Sequence, residues 1–383
     1  MRYACTLVLL LILSAATFAQ TTYNNLPVLK ATKKTADYRV GADWTRGNWS
    51  FAPEAVPDVL YVPSHSRTMS FAFYTDQESI AFPVTGNTVK QFYVLTPDSE
   101  YALTEVRGFD YKPVAYDAAP KKAAYQFWYE NGTHNEYLSR LKALYNLDSV
   151  VAQQSSDSAK ALRILSWSHT QWSHNGDNEP KKKDAISILE EAHTEGKQFR
   201  CVEYGIVGTA ALNAIGLPAR VLALKVKEVE TTPYGAGHVL LEVYLKDLGK
   251  WVLMDGQWDA MPVLNGVPLN AAEFQQAIAN NYEALEIRSL SGVSKAAYTS
   301  WVYPYLYFLD VKFDNREGLD LKRELQGGKP SLMLVPQGAK EPTVFQKTRP
   351  INNVVYTRSL ADFYSAPHPQ PLKGSSDAQK AGQ

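Results

Sequence analysis

Cys201 is the residue of this sequence with the most distinctive chemistry. The chain has two cysteines, and Cys5 lies in the N-terminal stretch MRYACTLVLLLILSAATFAQ. That stretch has the layout of a secretory signal peptide, with cleavage expected after Ala19. Its removal leaves Cys201 without an intramolecular disulfide partner. A lone thiol in an oxidising compartment is buried and inert, paired with another chain, or used chemically.

The residues around Cys201 predict that it begins a helix. An apolar stripe with helical spacing follows it: Val207, Ala210, Ala211 and Ala214. Gly216 and Pro218 end that helix. The N–H groups and the dipole at a helix N-terminus favour a thiolate and can stabilise an oxyanion. The alternative is a small packing residue, which would more naturally lie on the apolar stripe.

A histidine and an aspartate are predicted to meet at one end of a hairpin. His238 begins the strand-like run HVLLEVYL, and Asp255 ends the run KWVLMD, with KDLG as a turn between them;. A loop of residues 246–249 places Leu240 opposite Asp255 and makes His238 its diagonal neighbour. A loop of residues 245–248 pairs His238 with Asp255 directly. Both loops keep the two side chains on one face.

Glu242 is an alternative partner for His238. It lies four residues further along the same strand and on the same face;. Asp255 is better placed for a cleft because it lies at the end of its strand.

The sequence pattern around these residues predicts that the chain has five segments. Residues 1–19 are the expected signal peptide. Residues 20–120 are an expected all-β domain, because short aromatic and β-branched runs alternate with polar turns;. Residues 121–265 are expected to form the core, with helices first and strands after. Residues 266–365 are predicted as a C-terminal helix and β-rich extension, and residues 366–383 as a disordered tail.

One run within the extension has its own pattern. The run YTSWVYPYLYFLDVKF, residues 298–313, is rich in aromatic and β-branched residues and is predicted to form strands;.

Composition excludes several classes of function. The 39 basic and 39 acidic residues cancel, which argues against a nucleic-acid partner;. After the signal peptide, no run of apolar residues is long enough for an integral membrane segment. His169 and His174 lie five residues apart and do not form one metal-binding face, and no Gly-rich phosphate loop is present;. We expect no metal or organic cofactor, and a secreted or periplasmic location; the sequence leaves the oligomeric state open.

Three motifs together resemble a known family. FRCVEYGIVGTAALNAIGLPARVL, GHVLLEVYL and KWVLMDGQ resemble the transglutaminase-like core of the papain-like cysteine-enzyme superfamily, of the exported bacterial type. The resemblance covers roughly residues 155–260. It implies an α+β fold in which helices pack on an antiparallel sheet, beside the N-terminal all-β domain. Leu240 and Gly256 depart from the aromatic residue and the proline that many members have there, which leaves the shape of the cleft open.

The resemblance also implies a chemistry. Cys201, His238 and Asp255 would form a catalytic triad that transfers an acyl group from a protein or peptide amide through a thioester. Water as the acceptor would give a peptidase or amidase, and an amine would give a transglutaminase. The oxyanion hole would use the Cys201 N–H and one donor from the preceding helix, with Gln171 as the candidate and Trp172 as a second. A helix-surface amide and a core tryptophan are the alternatives.

Two other functions compete with this one. A non-catalytic protein could keep the fold and bind a protein or polysaccharide through its aromatic-rich β domain. An N-acyltransferase could use the same three residues with a carrier-bound acyl donor, although export would separate it from cytoplasmic carriers.

Overall fold

The computed structural model describes residues 21–50, 57–119, 125–130, 135–318 and 322–367. The chain divides into two compact units, Met1–Asp110 and Tyr111–Gln383. The expected signal peptide lies outside the described residues, as does all but the beginning of the expected tail. The predicted domain boundaries stay predictions.

The N-terminal unit is built from β-strands. Its described residues form β1 (Thr22–Tyr23), β2 (Leu26–Lys30), β3 (Thr35–Val40), β4 (Asp43–Ser50), β5 (Asp58–Pro63), β6 (Met69–Tyr74), β7 (Ser79–Val84), β8 (Val89–Leu95) and β9 (Tyr101–Phe109). One sheet has the order β1-β2-β8-β9-β5 and the other β4-β3-β6-β7. Alternate residues of both sheets, such as Leu29, Phe73 and Phe92, bury their side chains in one shared core;.

The second unit contains the helices. They are α1 (Glu136–Leu144), α2 (Leu147–Val150), α3 (Asp157–His169), α4 (Ala185–Glu195), α5 (Cys201–Ala214), α6 (Ala271–Asn280), α7 (Lys295–Val302) and α8 (Leu360–Phe363). A 3₁₀ turn at Tyr303–Tyr305 continues α7. Among the described residues, no helix is long and apolar enough to cross a membrane.

The strands of this unit are β10 (Ala219–Lys225), β11 (Gly237–Leu245), β12 (Lys250–Met254), β13 (Met261–Leu264), β14 (Val267–Pro268), β15 (Leu285–Arg288), β16 (Phe308–Lys312), β17 (Ser331–Leu334), β18 (Val344–Phe345), β19 (Arg349–Pro350) and β20 (Val354–Thr357). Six of them form a sheet of order β12-β11-β10-β16-β17-β20. Its pairs are antiparallel except β17 with β20.

The helices α1–α5 pack against this sheet. A large apolar core joins them to β10, β11 and β12, and it includes Leu141, Ile164, Val207 and Leu241. The polar faces of the outer helices remain exposed, whereas α5 is buried along most of its length;. The predicted α+β class with a strand-rich N-terminal region is confirmed.

The structure corrects one predicted element. Residues 298–313 do not form strands throughout, because α7 and its 3₁₀ turn occupy the first part and β16 begins only at Phe308. Ser294 caps α7 with its side-chain oxygen, and Tyr298 and Val302, one turn apart, are buried;. Aromatic and β-branched residues favour strands on average, and here helical spacing and a cap override that preference.

Candidate active site

The thiol lies where the sequence predicts it. Cys201 is the first residue of α5, half-buried and outside any disulfide. The helix begins here because Arg200 has an extended backbone and donates its N–H to Glu203 Oε2, which closes the first turn;. The first N–H groups of a helix have no acceptor within the helix, so α5 directs hydrogen-bond donors toward the region of Cys201.

Two glycines hold α5 close to β11. A Cβ at Gly208 would lie 2.4 Å from Leu241 Cδ2, and one at Gly205 would lie 3.2 Å from the Leu240 carbonyl oxygen. A side chain at position 208 therefore requires the buried Leu241 side chain, the helix or the strand to shift. This close packing fixes the beginning of α5 beside the beginning of β11, where His238 lies.

The hairpin places His238 beside Asp255. Leu245 pairs with Lys250, so the loop is residues 246–249, and the ladder continues to Leu241 opposite Met254. Asp255 is the next residue, and its Oδ2 lies 2.8 Å from His238 Nε2. Both side chains are buried, which shields the contact from water;.

Hydrogen bonds hold both carboxylate oxygens of Asp255. Its Oδ1 accepts the backbone N–H of Gln257 at 3.0 Å and lies 3.4 Å from that of Trp258. Its Oδ2 accepts the hydroxyl of Tyr298 at 3.2 Å as well as the contact from His238. Three donors besides the imidazole therefore stabilise the buried carboxylate.

The histidine is held in its protonated form. Burial, the largest single influence, lowers the pKa of His238, but the charge and hydrogen bond of Asp255 and the hydrogen bond and charge of Cys201 together raise it to about 9;. Since Asp255 occupies Nε2, the ring nitrogen left for Cys201 is Nδ1. The imidazole thus interacts with the carboxylate at one nitrogen, and the thiol also raises its pKa.

Glu242 does not serve as the partner of His238. Its Oε2 accepts from Arg220 Nε at 3.1 Å and Nη2 at 2.7 Å, and its Oε1 lies 3.2 Å from the N–H of Ala271. Arg220 and Glu242 are direct cross-strand partners on β10 and β11, and both are fully buried. Glu242 therefore neutralises a buried arginine.

Aromatic side chains from outside the predicted core cover the histidine. The ring of Trp301 meets His238 edge-on at 4.8 Å, and that of Tyr305 lies 5.9 Å away. Trp258 packs against Trp301 at 5.1 Å. Sequence reasoning missed these residues, although the spacing of Tyr298, Trp301 and Tyr305 by three and four is that of one helix face.

The oxyanion candidate Gln171 is engaged elsewhere. Its Nε2, the atom that would donate to an oxyanion, donates to the Trp167 carbonyl oxygen at 2.6 Å, and its Oε1 lies 2.9 Å from His193 Nε2. This geometry does not support the predicted role, because a side chain that caps its own helix end is not directed at the thiol.

Trp172, the second candidate, fits better. Its ring packs at a tilt against Tyr204 of α5, with centroids 4.5 Å apart, and Tyr204 donates its hydroxyl to the Trp172 carbonyl oxygen at 2.7 Å. The indole Nε1 is buried without a hydrogen-bond partner among the described residues. Burying a hydrogen-bond donor without an acceptor costs free energy, unless a bound molecule supplies the acceptor.

A cavity of about 510 Å³ borders this region. Its lining includes Trp172, His174, Tyr204 and Gln257. Tyr204 is three residues after the thiol, and Gln257 is two after Asp255. Burial, followed by the positive charge of His238, lowers the pKa of His174. No group of three His, Cys, Asp or Glu side chains in the described part of the chain could hold a metal ion.

Comparison with known proteins agrees with the motif resemblance. Residues 146–256 match the model of the transglutaminase-like superfamily, and Cys201, His238 and Asp255 all lie inside the match. No curated protein gives a significant match.

Three solved structures are similar to parts of the chain. A candidate cysteine protease from Cytophaga hutchinsonii is 13% identical over 58% of this chain and 66% of its own, with a TM-score of 0.27. A TGase is 22% identical over 33% of this chain and 34% of its own, with a TM-score of 0.23. Red sea bream transglutaminase is 11% identical over 58% and 45%, with a TM-score of 0.23. The chain thus spans between about a third and two thirds of these proteins.

These structural likenesses are weak, and the assignment rests on the family model together with the motifs. The resemblance inferred from the sequence is confirmed: residues 146–256 are a transglutaminase-like domain.

Proposed function

We propose that this protein is an exported, thiol-dependent enzyme that transfers an acyl group from a protein or peptide amide through a thioester on Cys201. One observation carries the proposal: a half-buried thiol at a helix N-terminus raises the pKa of a histidine whose Nε2 lies 2.8 Å from a buried aspartate. Each member of such an arrangement supplies a step of acyl transfer.

In the first step, the Cys201 thiolate attacks the amide carbonyl carbon. A C–S bond forms, and the carbonyl electrons move to oxygen. When that intermediate collapses, the C–N bond breaks and the leaving amine takes the Nδ1 proton of His238. The products of this half-reaction are a free amine and a thioester on Cys201.

In the second step, His238 acts as a base. It accepts a proton from the incoming water or amine, which attacks the thioester carbonyl, and the C–S bond breaks to restore the thiolate. Asp255 keeps the ring in one orientation and stabilises its charge throughout. Water gives a hydrolysed product, and an amine gives a new amide.

The oxyanion of both steps needs two donors. We assign one to the backbone N–H of Cys201 and the other to Trp172 Nε1, the buried indole donor without a partner in the described residues;. Trp172→Phe keeps the ring and removes the donor. It should lower kcat on the order of a hundredfold, the usual loss for one oxyanion-hole donor.

The direct test is a library of glutamine-containing peptides, incubated with and without a primary amine and analysed by mass. Loss of ammonia, incorporation of the amine, or backbone cleavage each identifies one reaction. Cys201→Ser should abolish every product and leave the circular dichroism spectrum unchanged. Asp310→Asn is the matched control, because Asp310 pairs with Lys225 on β10 and takes no part in the chain of contacts from Cys201 to Asp255; retained activity in Cys201→Ser would refute the mechanism.

Alkylation by iodoacetamide separates the enzyme from the binding alternative. A thiolate beside an imidazolium reacts near neutral pH, whereas an inert packing thiol does not. An unreactive Cys201 in the folded protein would favour a binding protein that keeps the fold. Export is tested independently, since mature protein recovered from outside the cytoplasm should begin at Gln20.

A further inference from the structure

Asp255 Oδ2 is shared by two donors. His238 Nε2 lies 2.8 Å from it and the Tyr298 hydroxyl 3.2 Å. The second donor comes from α7, beyond the end of the transglutaminase-like domain at residue 256. Since Oδ1 is occupied by backbone N–H groups, the phenol is the side-chain donor that competes with the imidazole for the charge of this carboxylate.

The ring of Tyr298 is held rigidly. It is fully buried, lies 5.9 Å from Phe274 in a stacked arrangement, and meets Trp258 at 5.7 Å. Trp258 belongs to the turn that follows Asp255, so the ring and the carboxylate are supported by the same short segment. Packing of the ring against Phe274 and Trp258 therefore offsets the entropic cost of ordering the hydroxyl beside Oδ2;.

The turn after Asp255 also anchors the approach to α7. Asp259, four residues on, accepts at Oδ2 the N–H groups of Leu290 at 2.9 Å and Ser291 at 2.7 Å. At the N-terminus of α7, Lys295 donates its Nζ to the Tyr282 carbonyl oxygen at 3.0 Å. These contacts fix the N-terminal end of α7, the first of them directly to the turn that follows Asp255;.

We propose that Tyr298 is a positioning residue of the candidate triad: its hydroxyl holds Asp255 Oδ2 and limits how strongly the carboxylate attracts the proton of His238. This rests on the proposed function, and it adds a fourth member from outside the family domain. A hydrogen bond to the carboxylate spreads its negative charge, so the imidazolium opposite is a somewhat stronger acid and a better proton donor to the leaving amine.

Other titratable groups also face His238. They are Cys201 of α5, His174 of the loop after α3, and Tyr305 of the 3₁₀ turn. All three stay in place when the Tyr298 hydroxyl is removed. A change in the titration of His238 after that removal therefore reports on Asp255.

The test is an NMR titration of histidine labelled with ¹³C at Cε1, with the His238 signal identified by its loss in His238→Gln. Tyr298→Phe should raise the pKa of His238 by on the order of half a pH unit, since a carboxylate with fewer donors attracts the proton more strongly. Tyr116→Phe is the matched control. It removes a phenol that donates to the Tyr307 carbonyl oxygen at 3.1 Å and should leave His238 unchanged.

A second variant moves the effect in the opposite direction and keeps the fold even if Tyr298→Phe does not. 3-Fluorotyrosine at position 298 retains the hydroxyl but makes it a stronger donor, so the pKa of His238 should fall. Shifts of the His238 pKa in opposite directions in the two variants support the proposal. If Tyr298→Phe is unfolded, a fall of the His238 pKa in the fluorotyrosine variant alone supports it. An unchanged titration of His238 in every variant that folds overturns it.

The titration needs no substrate, so its result is independent of whether the protein proves to be an enzyme. Where an amide substrate has been identified, Tyr298→Phe should also lower kcat on the order of tenfold with little change in KM. Tyr116→Phe should change neither constant. A protein without acyl-transfer activity that shows the two opposite shifts would refute the proposed function and leave the role of Tyr298 intact.

Discussion

Replacing Asp255 by asparagine is the most informative single change. The amide has the shape of the carboxylate, and its single oxygen can still accept the N–H of Gln257. Its NH₂ group then takes the Oδ2 position that faces His238 and Tyr298, so the change removes both the negative charge and the acceptor there;. The fold should therefore survive while the electrostatics of the site change.

The structure sets the size of the effect. Burial lowers the pKa of His238, and the charge and hydrogen bond of Asp255 are the main influences that raise it to about 9. Without the charge, burial dominates and the pKa should fall to its ordinary 6.5 or lower. A fall of about 2.5 pH units is roughly 3 kcal/mol at about 1.4 kcal/mol per unit.

The assay is the rate of Cys201 alkylation by iodoacetamide between pH 5 and 11. A thiolate is stabilised by the imidazolium. At about pH 7.5 the imidazole is almost fully protonated if its pKa is about 9 and roughly one-tenth protonated if its pKa is 6.5, so the ion pair is reduced on the order of tenfold;. We expect Asp255→Asn to react slower by that factor at about pH 7.5. The rates should converge above about pH 10, where a thiol ionises without assistance.

Asp310→Asn provides the comparison, because it also removes a carboxylate from an ion pair in the same sheet, that with Lys225 at 3.0 Å. Its alkylation profile should match that of the unmodified protein. If folded Asp255→Asn reacts at about pH 7.5 as fast as the unmodified protein, the charge of Asp255 does not stabilise the pair of Cys201 thiolate and His238 imidazolium, and the reasoning is refuted.

Three further changes test the supports of the site. Gly208→Ala should lower the free energy of unfolding by about 1–3 kcal/mol in urea denaturation, because the new Cβ would lie 2.4 Å from Leu241 Cδ2; an unchanged midpoint would show that the Leu241 side chain or the helix can shift at no cost. The raised pKa of His238 stabilises the fold fully below pH 6.5, and that stability is lost as pH rises through about 9;. Unfolding measured across this range should show the decline, and His238→Gln should flatten it. Arg220→Met leaves Glu242 buried and unpaired and should cost about 3–5 kcal/mol, whereas a change in melting temperature of only a degree or two would contradict the assigned burial.

The order and register of the site are predictable from sequence because they depend on local rules. A helix start is set by a cap and by the apolar residues that follow, which places Cys201. The hairpin register depends on loop length, and the 246–249 loop found here was one of two that keep His238 and Asp255 on one face;.

The choice of side-chain partners is not predictable in the same way. Glu242 and Asp255 share a face with His238, and only the position of Arg220 opposite Glu242 on β10 separates their roles. Gln171 lies at the correct end of its helix, but its amide folds back onto a carbonyl of that helix. Such contacts depend on side-chain rotamers and distant strands, which local pattern does not specify.

The helix α7 was missed for a related reason. Its aromatic and β-branched composition favours a strand, while the spacing of Tyr298, Trp301 and Tyr305 follows a helix face. Tertiary packing decides between these two signals, because burial of Tyr298 against Phe274 stabilises the helix.

The six-stranded sheet has a practical consequence for producing this protein. β10 pairs on one side with β11 and on the other side with β16. In the second pair, Leu222 lies opposite Val311 and Leu224 opposite Leu309. A recombinant fragment trimmed to the family match at 146–256 would expose that side of β10 as an open, apolar edge able to pair with a second copy;. The smallest piece suited to crystallisation or transplantation into another protein is therefore the whole second unit, which retains β16 and α7.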